Sequence, residues 1–222
     1  MAEPAAVAEA ARRPVARRGP ETREAIHAAA LELFARLGYH ATSMRAIGAA
    51  AHVQPAAIYH WYPSKEAILV GLQDDFMERL TEKVVAAIGR QARPALKLAA
   101  AVREHVVFHG VHRRAAFVTD SEIRALTDGP RRALISKRDD YQAIFSALIR
   151  AGIGDGSLRV SDAHIATYAI LLQCTGVALW FDPSGPRDLD EVAELHVELV
   201  LGSLGASPEL IEEAIGGGRS GS

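Results

Sequence analysis

Thr42 to Ile68 reads TSMRAIGAAAHVQPAAIYHWYPSKEAI, and this stretch decides the fold. Thr42 and Ser43 offer an N-cap, and Ile47, Ala50 and Ala51 follow at helical spacing. His52-Val53 breaks that helix. A second short helix then runs from about Gln54 to Trp61, with Pro55 in the first turn, where a missing N–H costs nothing. Upstream, Ile26, Ala29, Ala30, Leu33, Phe34 and Leu37 mark a longer helix that Gly38 stops. A packing helix followed by two short helices and a tight turn makes a helix-turn-helix head. Ala46, Ile47, Ala50, Val53, Ile58 and Phe34 supply its small apolar interior.

In such a head the second short helix enters the major groove of duplex DNA. Gln54, Pro55, Ala56, Tyr59 and His60 are its outward residues. Gln54 can pair bidentately with adenine, and Pro55 or Ala56 can touch a thymine methyl. Tyr59, Tyr62 and Lys65 suit phosphate contacts, as do Thr42 and Ser43 at a helix N-terminus, and Arg45. For Arg45 a solvated charge, and for Tyr62 a core position, are the competing readings.

Working outward, residues 1–20 are rich in Ala, Pro and Arg and read as a flexible basic arm, whose Arg12, Arg13, Arg17 and Arg18 could reach DNA. The head spans 21–66. Beyond it, Ser64 caps a long helix whose stripe is Ile68, Leu69, Leu72, Phe76, Leu80, Val84 and Ile88. At about 1.5 Å per residue it spans roughly 35 Å and can join a small head to a larger body. Further helices are expected at about 94–112, 114–126, 129–152, 161–181 and 188–204, separated by Pro and Gly breakers. No segment alternates with a period of two, so the fold class is all-α, with a helical body over 67–215 and a Gly/Ser-rich tail over 216–222.

The 222 residues are 49% hydrophobic and 23% charged, an ordinary globular balance. The net charge of −2 hides an asymmetry: residues 1–65 hold eight Lys and Arg against five Asp and Glu, and the remainder is acidic. An anionic partner is therefore expected for the first part only. The single cysteine, Cys174, allows no internal disulfide. Met1 to Ala11 lacks a basic n-region and a long apolar core, and the apolar run Ile165 to Phe181 is short for a bilayer span. A cytoplasmic protein without a membrane partner is the expectation. There is no phosphate loop, nucleophile elbow or zinc-ligand cluster, so no catalytic residue, metal or cofactor is expected.

The pattern from Ile26 to Leu69 resembles the DNA-binding head of the TetR family of bacterial repressors. Ile26-x6-Leu33-Phe34, Gly38-Tyr39, Thr42-Ser43-Met44-Arg45-x-Ile47 and above all Ile58-Tyr59-His60-Trp61-Tyr62-Pro63-Ser64-Lys65-Glu66 carry the likeness. The resemblance implies a two-fold dimer on a palindromic operator, recognition helices in successive major grooves, phosphates anchored by Tyr59 and Lys65, and bases read by residues 54–60. It also implies a ligand chamber in the body whose occupation spreads the heads. The family's usual turn glycine is His52 here, and its usual phenylalanine before the proline is Tyr62.

A looser likeness runs through the body. Asp120-Ser121-Glu122-x-Arg124-x-Leu126, Lys137-Arg138-Asp139-Asp140-Tyr141, Arg150-Ala151-Gly152-x3-Gly156 and Trp180 resemble TetR-type regulators of fatty-acid and steroid breakdown, which respond to acyl-CoA thioesters. That implies a small hydrophobic or acyl-CoA ligand. Phe108, Val118, Tyr141, Phe145 and Leu172 are candidate lining, with Glu122, His109 and Gln173 as polar anchors; plain core packing is the alternative for each aromatic. His105, His109 and His112 share one helix at metal-site spacing, which keeps a metal-binding helical protein open as an alternative, beside a regulator without an inducer. Helices 161–181 and 188–204 are the expected homodimer interface. Leu189, Val192, Leu195, Leu199, Val200 and Leu204 form the stripe of the second.

Overall fold

The structure is a computed structural model that describes residues 19–216, so residues 1–18 of the arm and the last six residues, with the readings placed on them, lie outside it, while Gly19 and Pro20, read as arm, open the first helix. Every regular element among the described residues is helical. The head is α1 (Gly19–Leu37), α2 (Met44–Ala51) and α3 (Pro55–Trp61). Ile26, Ala30, Phe34, Ile47 and Ile58 are its fully enclosed core. Ala51, not Ala50, completes that core: Ala50 faces solvent. Helix α4 (Lys65–Gly89) begins at Ser64, whose hydroxyl accepts from the Ala67 N–H, and runs from the head into the body.

The body is built around α5 (Pro94–Val111), which buries residues on nearly every side. Helices α4, α7 (Asp128–Gly154), α8 (Ala163–Thr175), α9 (Val177–Trp180) and α10 (Leu189–Ser203) surround it. Gly110 permits the closest approach: a Cβ there would lie 2.3 Å from Leu189 Cδ1 of α10. Helix α6 (Arg113–Ser121) and a 3₁₀ turn (Glu122–Ala125) connect α5 to α7 and lie against α1.

Two expectations shift. The helix expected over 161–181 is two pieces, because the chain turns at Gly176 between α8 and α9. A short amphipathic α11 (Pro208–Gly216), which the sequence reading does not include, closes against α10 and α5. By length and composition the stretch Ala163–Trp180 does reach the dimensions of a membrane span. Yet Ala166, Thr167, Ile170, Cys174 and Val177 are buried within the body.

Candidate DNA-binding head and effector chamber

Ser43 caps α2, its hydroxyl accepting from the Ala46 N–H at 3.1 Å. His52 then takes the left-handed conformation at φ 55°, ψ 37°, so the turn forms without a glycine at a cost of roughly 1–2 kcal/mol. The Val53 N–H closes the turn on Gly48 O at 2.9 Å. The glycine that close packing needs is Gly48, one turn back, where a Cβ would meet Ile58 Cδ1 at 2.9 Å. This turn presents α3 to solvent: Gln54, Ala56, Tyr59 (57% exposed) and His60 are all on the open face, and Arg45 is exposed on α2. The backbone of Pro55 opens α3.

Three other residues expected at the phosphates are turned elsewhere. Thr42 is buried, and its hydroxyl donates to Gly38 O at 2.9 Å. Tyr62 is buried against α1; its hydroxyl receives the Arg23 Nε–H at 3.0 Å and lies 2.5 Å from His27 Nε2. Arg23 and His27 stand one helical turn apart on α1, a spacing that could have marked them as partners for an aromatic. Lys65 points its ammonium at Tyr39 O and Thr42 O, 2.6 Å each, and lies over the Tyr39 ring at 4.2 Å. Burial lowers its pKa, and its charge ties α4 to the α1–α2 connection.

In the body, a cavity of about 160 Å³ lies among α4, α5, α6, α7 and α8, walled by Phe76, His105, His109, Thr119, Tyr141 and Thr175. It adjoins an outer pocket of about 580 Å³ that shares Asp120, Arg138, Gln142, Leu171 and Thr175 and adds Phe117, Tyr168 and Leu172. The inner end is polar. His105 Nδ1 lies 2.7 Å from Tyr141 Oη, and its Nε2 lies 3.1 Å from Thr175 Oγ1. His109 stacks on His105 at 4.0 Å between centroids, and its Nδ1 is 2.9 Å from His105 O. Burial holds the His105 pKa well below the ordinary histidine range and the His109 pKa at about 4, so both rings are neutral at neutral pH. Burial likewise pushes Tyr141 well up, and the Cys174 thiol to about 12, so Cys174 acts as a small hydrophobe. Gln73, also buried, leaves its Oε1 without a partner, which costs roughly 1–3 kcal/mol in an apolar interior.

Of the expected lining, the structure brings His109 and Tyr141 to the inner wall and Leu172 to the outer pocket. Phe108, Val118 and Phe145 line neither: Phe108 packs edge-on against Phe76, and the other two are closed into the core. Gln173 lies on the other side of α8, in a trough with Trp180 and His196. Glu122 reaches the head instead, its Oε1 accepting from the Tyr39 N–H at 3.1 Å. Thr119, Gln142 and Thr175 were not foreseen as lining, since single polar residues on apolar helices give no pattern in sequence. His105, His109 and His112 do not converge: His112 lies tilted against Phe108, and no metal-binding group of three is found among the described residues.

The chamber wall continues into the head. Beyond Thr119 and Asp120, Glu122 holds Tyr39, and the Thr127 N–H donates to Glu66 Oε1 at 2.6 Å on α4. Arg114 pairs with Glu32 of α1 at 2.8 Å. Arg36, Arg113 and Arg114 border a trough of about 550 Å³ that shares Phe117, Ala178 and Leu179 with the outer pocket. From the rim of the outer pocket at Tyr168, Leu172 and Leu179, a broad apolar face of α8–α10 continues through Ile165, Trp180, Leu195 and Leu199, all exposed.

Comparison with known proteins agrees with this architecture. Residues 26–72 match the model of bacterial regulatory proteins of the tetR family, and residues 91–204 match the tetracyclin repressor-like C-terminal domain. The HTH-type transcriptional repressor KstR2 of Rhodococcus jostii is 31% identical over 186 residues, covering 81% of this chain and 88% of that protein. A bacterial regulatory protein in the tetR family from Rhodococcus RHA1 superposes with a TM-score of 0.79 at 28% identity, over 84% of this chain and 98% of that one. AibR, solved in complex with isovaleryl coenzyme A and operator DNA, shares the fold at a TM-score of 0.74 and 23% identity, over 80% of this chain and 97% of its own. The chain belongs to the TetR family of bacterial DNA-binding transcriptional repressors.

Proposed function

We propose that two copies of this chain grip a palindromic operator in the cytoplasm and release it when a small hydrophobic ligand, an acyl-CoA thioester, fills the chamber. The head, residues 21–66, reads bases with Gln54, Pro55, Ala56 and His60 and touches phosphates with Tyr59, Ser43 and Arg45. The body, residues 67–215, holds the ligand and the partner subunit. No step of this cycle calls for catalysis.

One observation carries the reading: a single segment, Thr119 to Leu126, walls the chamber at one end and bonds to Tyr39 of the head at the other. A ligand that favours a displaced position of this segment shifts the heads by its own differential affinity. The thioester class is supported by the trough bearing Arg36, Arg113 and Arg114 beside the outer pocket, since guanidinium groups suit a diphosphate. AibR, which shares the fold, was solved with isovaleryl coenzyme A, which supports a CoA thioester as the ligand class. The apolar face of α8–α10 supports the dimer: a patch of this kind on a lone chain marks an interface, and a four-helix bundle across a two-fold axis would cover it.

Fluorescence anisotropy with a palindrome from beside the protein's own gene, with random duplex as competitor, tests the first half. Saturable, competitor-resistant binding by a dimer is expected; a monomer with no preferred duplex would refute it. Adding acyl-CoA esters of several chain lengths tests the second half. At least one should raise the melting temperature and lower operator affinity together. Operator binding indifferent to all of them would leave the constitutive reading in its place.

A further inference from the structure

The inner cavity has an unusual lining for a hydrocarbon site. Thr175, His105 and Tyr141 form a relay that carries three N–H or O–H protons, one of them on the neutral ring, and holds two internal hydrogen bonds. One proton is therefore left over. It resides on Tyr141 when the His105 proton is on Nδ1, and on Thr175 when it is on Nε2. Both residues line the cavity, and neither hydroxyl has another partner among the described residues. Beside the relay, His109 donates its Nδ1 proton to His105 O, so its Nε2 keeps a lone pair with no partner among the described residues. His109 is only 3% exposed and also lines the cavity. Behind Thr119, the Gln73 amide bonds to Thr119 O only at 3.5 Å and leaves its oxygen orphaned. The cavity thus offers one spare donor, on the buried Tyr141 or the half-buried Thr175, and one spare acceptor on His109, in a space for roughly five water-sized groups.

We infer that this inner end binds an oxygenated group, a ketone or hydroxyl on a small ring or short chain, rather than a bare hydrocarbon terminus. A ketone oxygen accepts the spare proton of the relay; a hydroxyl can accept it and also donate to His109 Nε2. A methyl-ended chain would strip these groups of water and return no hydrogen bond, which buried polar groups penalise. The outer pocket, bounded by Phe117, Leu171, Leu172 and Leu179, takes the apolar remainder. The inference rests on the chamber being the effector site, as proposed above.

Calorimetric titration of the full chain with cyclohexanecarbonyl-CoA and 4-oxocyclohexanecarbonyl-CoA is the test. The pair differs by one oxygen at the far end of the acyl group. The oxo ester should bind about tenfold tighter or more. Tyr141→Phe, Thr175→Val and His105→Leu together remove every donor of the relay. The triple variant should erase the preference while leaving the unsubstituted ester's affinity within a few-fold. Equal or better binding of the unsubstituted ester by the native protein overturns the inference, whether or not the variant folds. A second arm separates this from the thioester reading: cyclohexanone and methylenecyclohexane are compared by ligand-observed NMR. If neither ester binds but cyclohexanone is preferred, the thioester reading fails and the oxygenated site stands. If neither fragment is preferred and neither ester binds, the polar lining serves water alone and the inference falls.

Discussion

Tyr59 and Gln54 stand on the same short helix and should answer differently to the same truncation. Tyr59 is more than half exposed with its hydroxyl free to meet a phosphate, so Tyr59→Ala should weaken binding to operator and random duplex alike. Gln54→Ala should cost about 1–3 kcal/mol at one base position and leave random duplex untouched. Competition anisotropy on single-base operator variants distinguishes the two; an unchanged base preference in Gln54→Ala would remove it from the reading set. Which polar residues stay outside was partly legible in sequence, because Tyr59 and His60 follow Ile58 on a short helix whose inner face is already assigned. The inward turn of Thr42, Tyr62 and Lys65 was not legible. Tyr62 and Lys65 bond across 23 to 39 positions of sequence, which no local pattern records, and Thr42 folds back onto Gly38 O within its own loop.

Among the elements, the 3₁₀ turn Glu122–Ala125 links the segment that walls the chamber to the head. Glu122→Ala removes the acceptor for the Tyr39 N–H, and Glu66→Ala removes the acceptor for the Thr127 N–H. The double variant should keep its dimer and its ligand affinity but lose most of the ligand's effect on operator binding, a severalfold fall in the coupling factor. Measuring operator affinity with and without saturating ligand checks this; a coupling equal to the native one would place the transmission elsewhere. The helices themselves were largely readable, because their starts carry side-chain caps: Ser43, Ser64, Asp162 and Asp188 each accept from the first turn. The break at Gly176 was hidden inside a continuous apolar run, where length and hydrophobicity both favour one helix. Helix α11 is nine residues with no fully buried side chain, too brief to announce itself by periodicity.

At the scale of the whole molecule, the buried histidine pair makes stability depend on pH. The His109 pKa lies at about 4 when folded, against about 6.5 for an unfolded imidazole. The unfolded chain therefore takes up a proton that the folded one refuses, and stability present above pH ~6.5 is lost as the pH falls toward 4. For His109 alone this amounts to about 3 kcal/mol, a large share of a typical total of about 5–15. His105, depressed further, adds in the same direction. Urea midpoints at pH 7.5, 6 and 4.5 should fall steadily, and a midpoint independent of pH would contradict the buried, neutral pair. A different consequence follows from the way Lys65 is held. With the Lys65 ammonium held by two carbonyls and the exposed Arg23 bonded to Tyr62, Arg36 and Arg45 are the head's exposed cations without such a bond, a small set to displace the sodium or potassium ions condensed on a duplex. Its grip on arbitrary chromosomal sequence should be weak, with a shallow fall as ionic strength rises. The search for the operator would then depend on the groove-facing shape of α3, and any long-range electrostatic capture would fall to the four arginines that precede Gly19 in the chain.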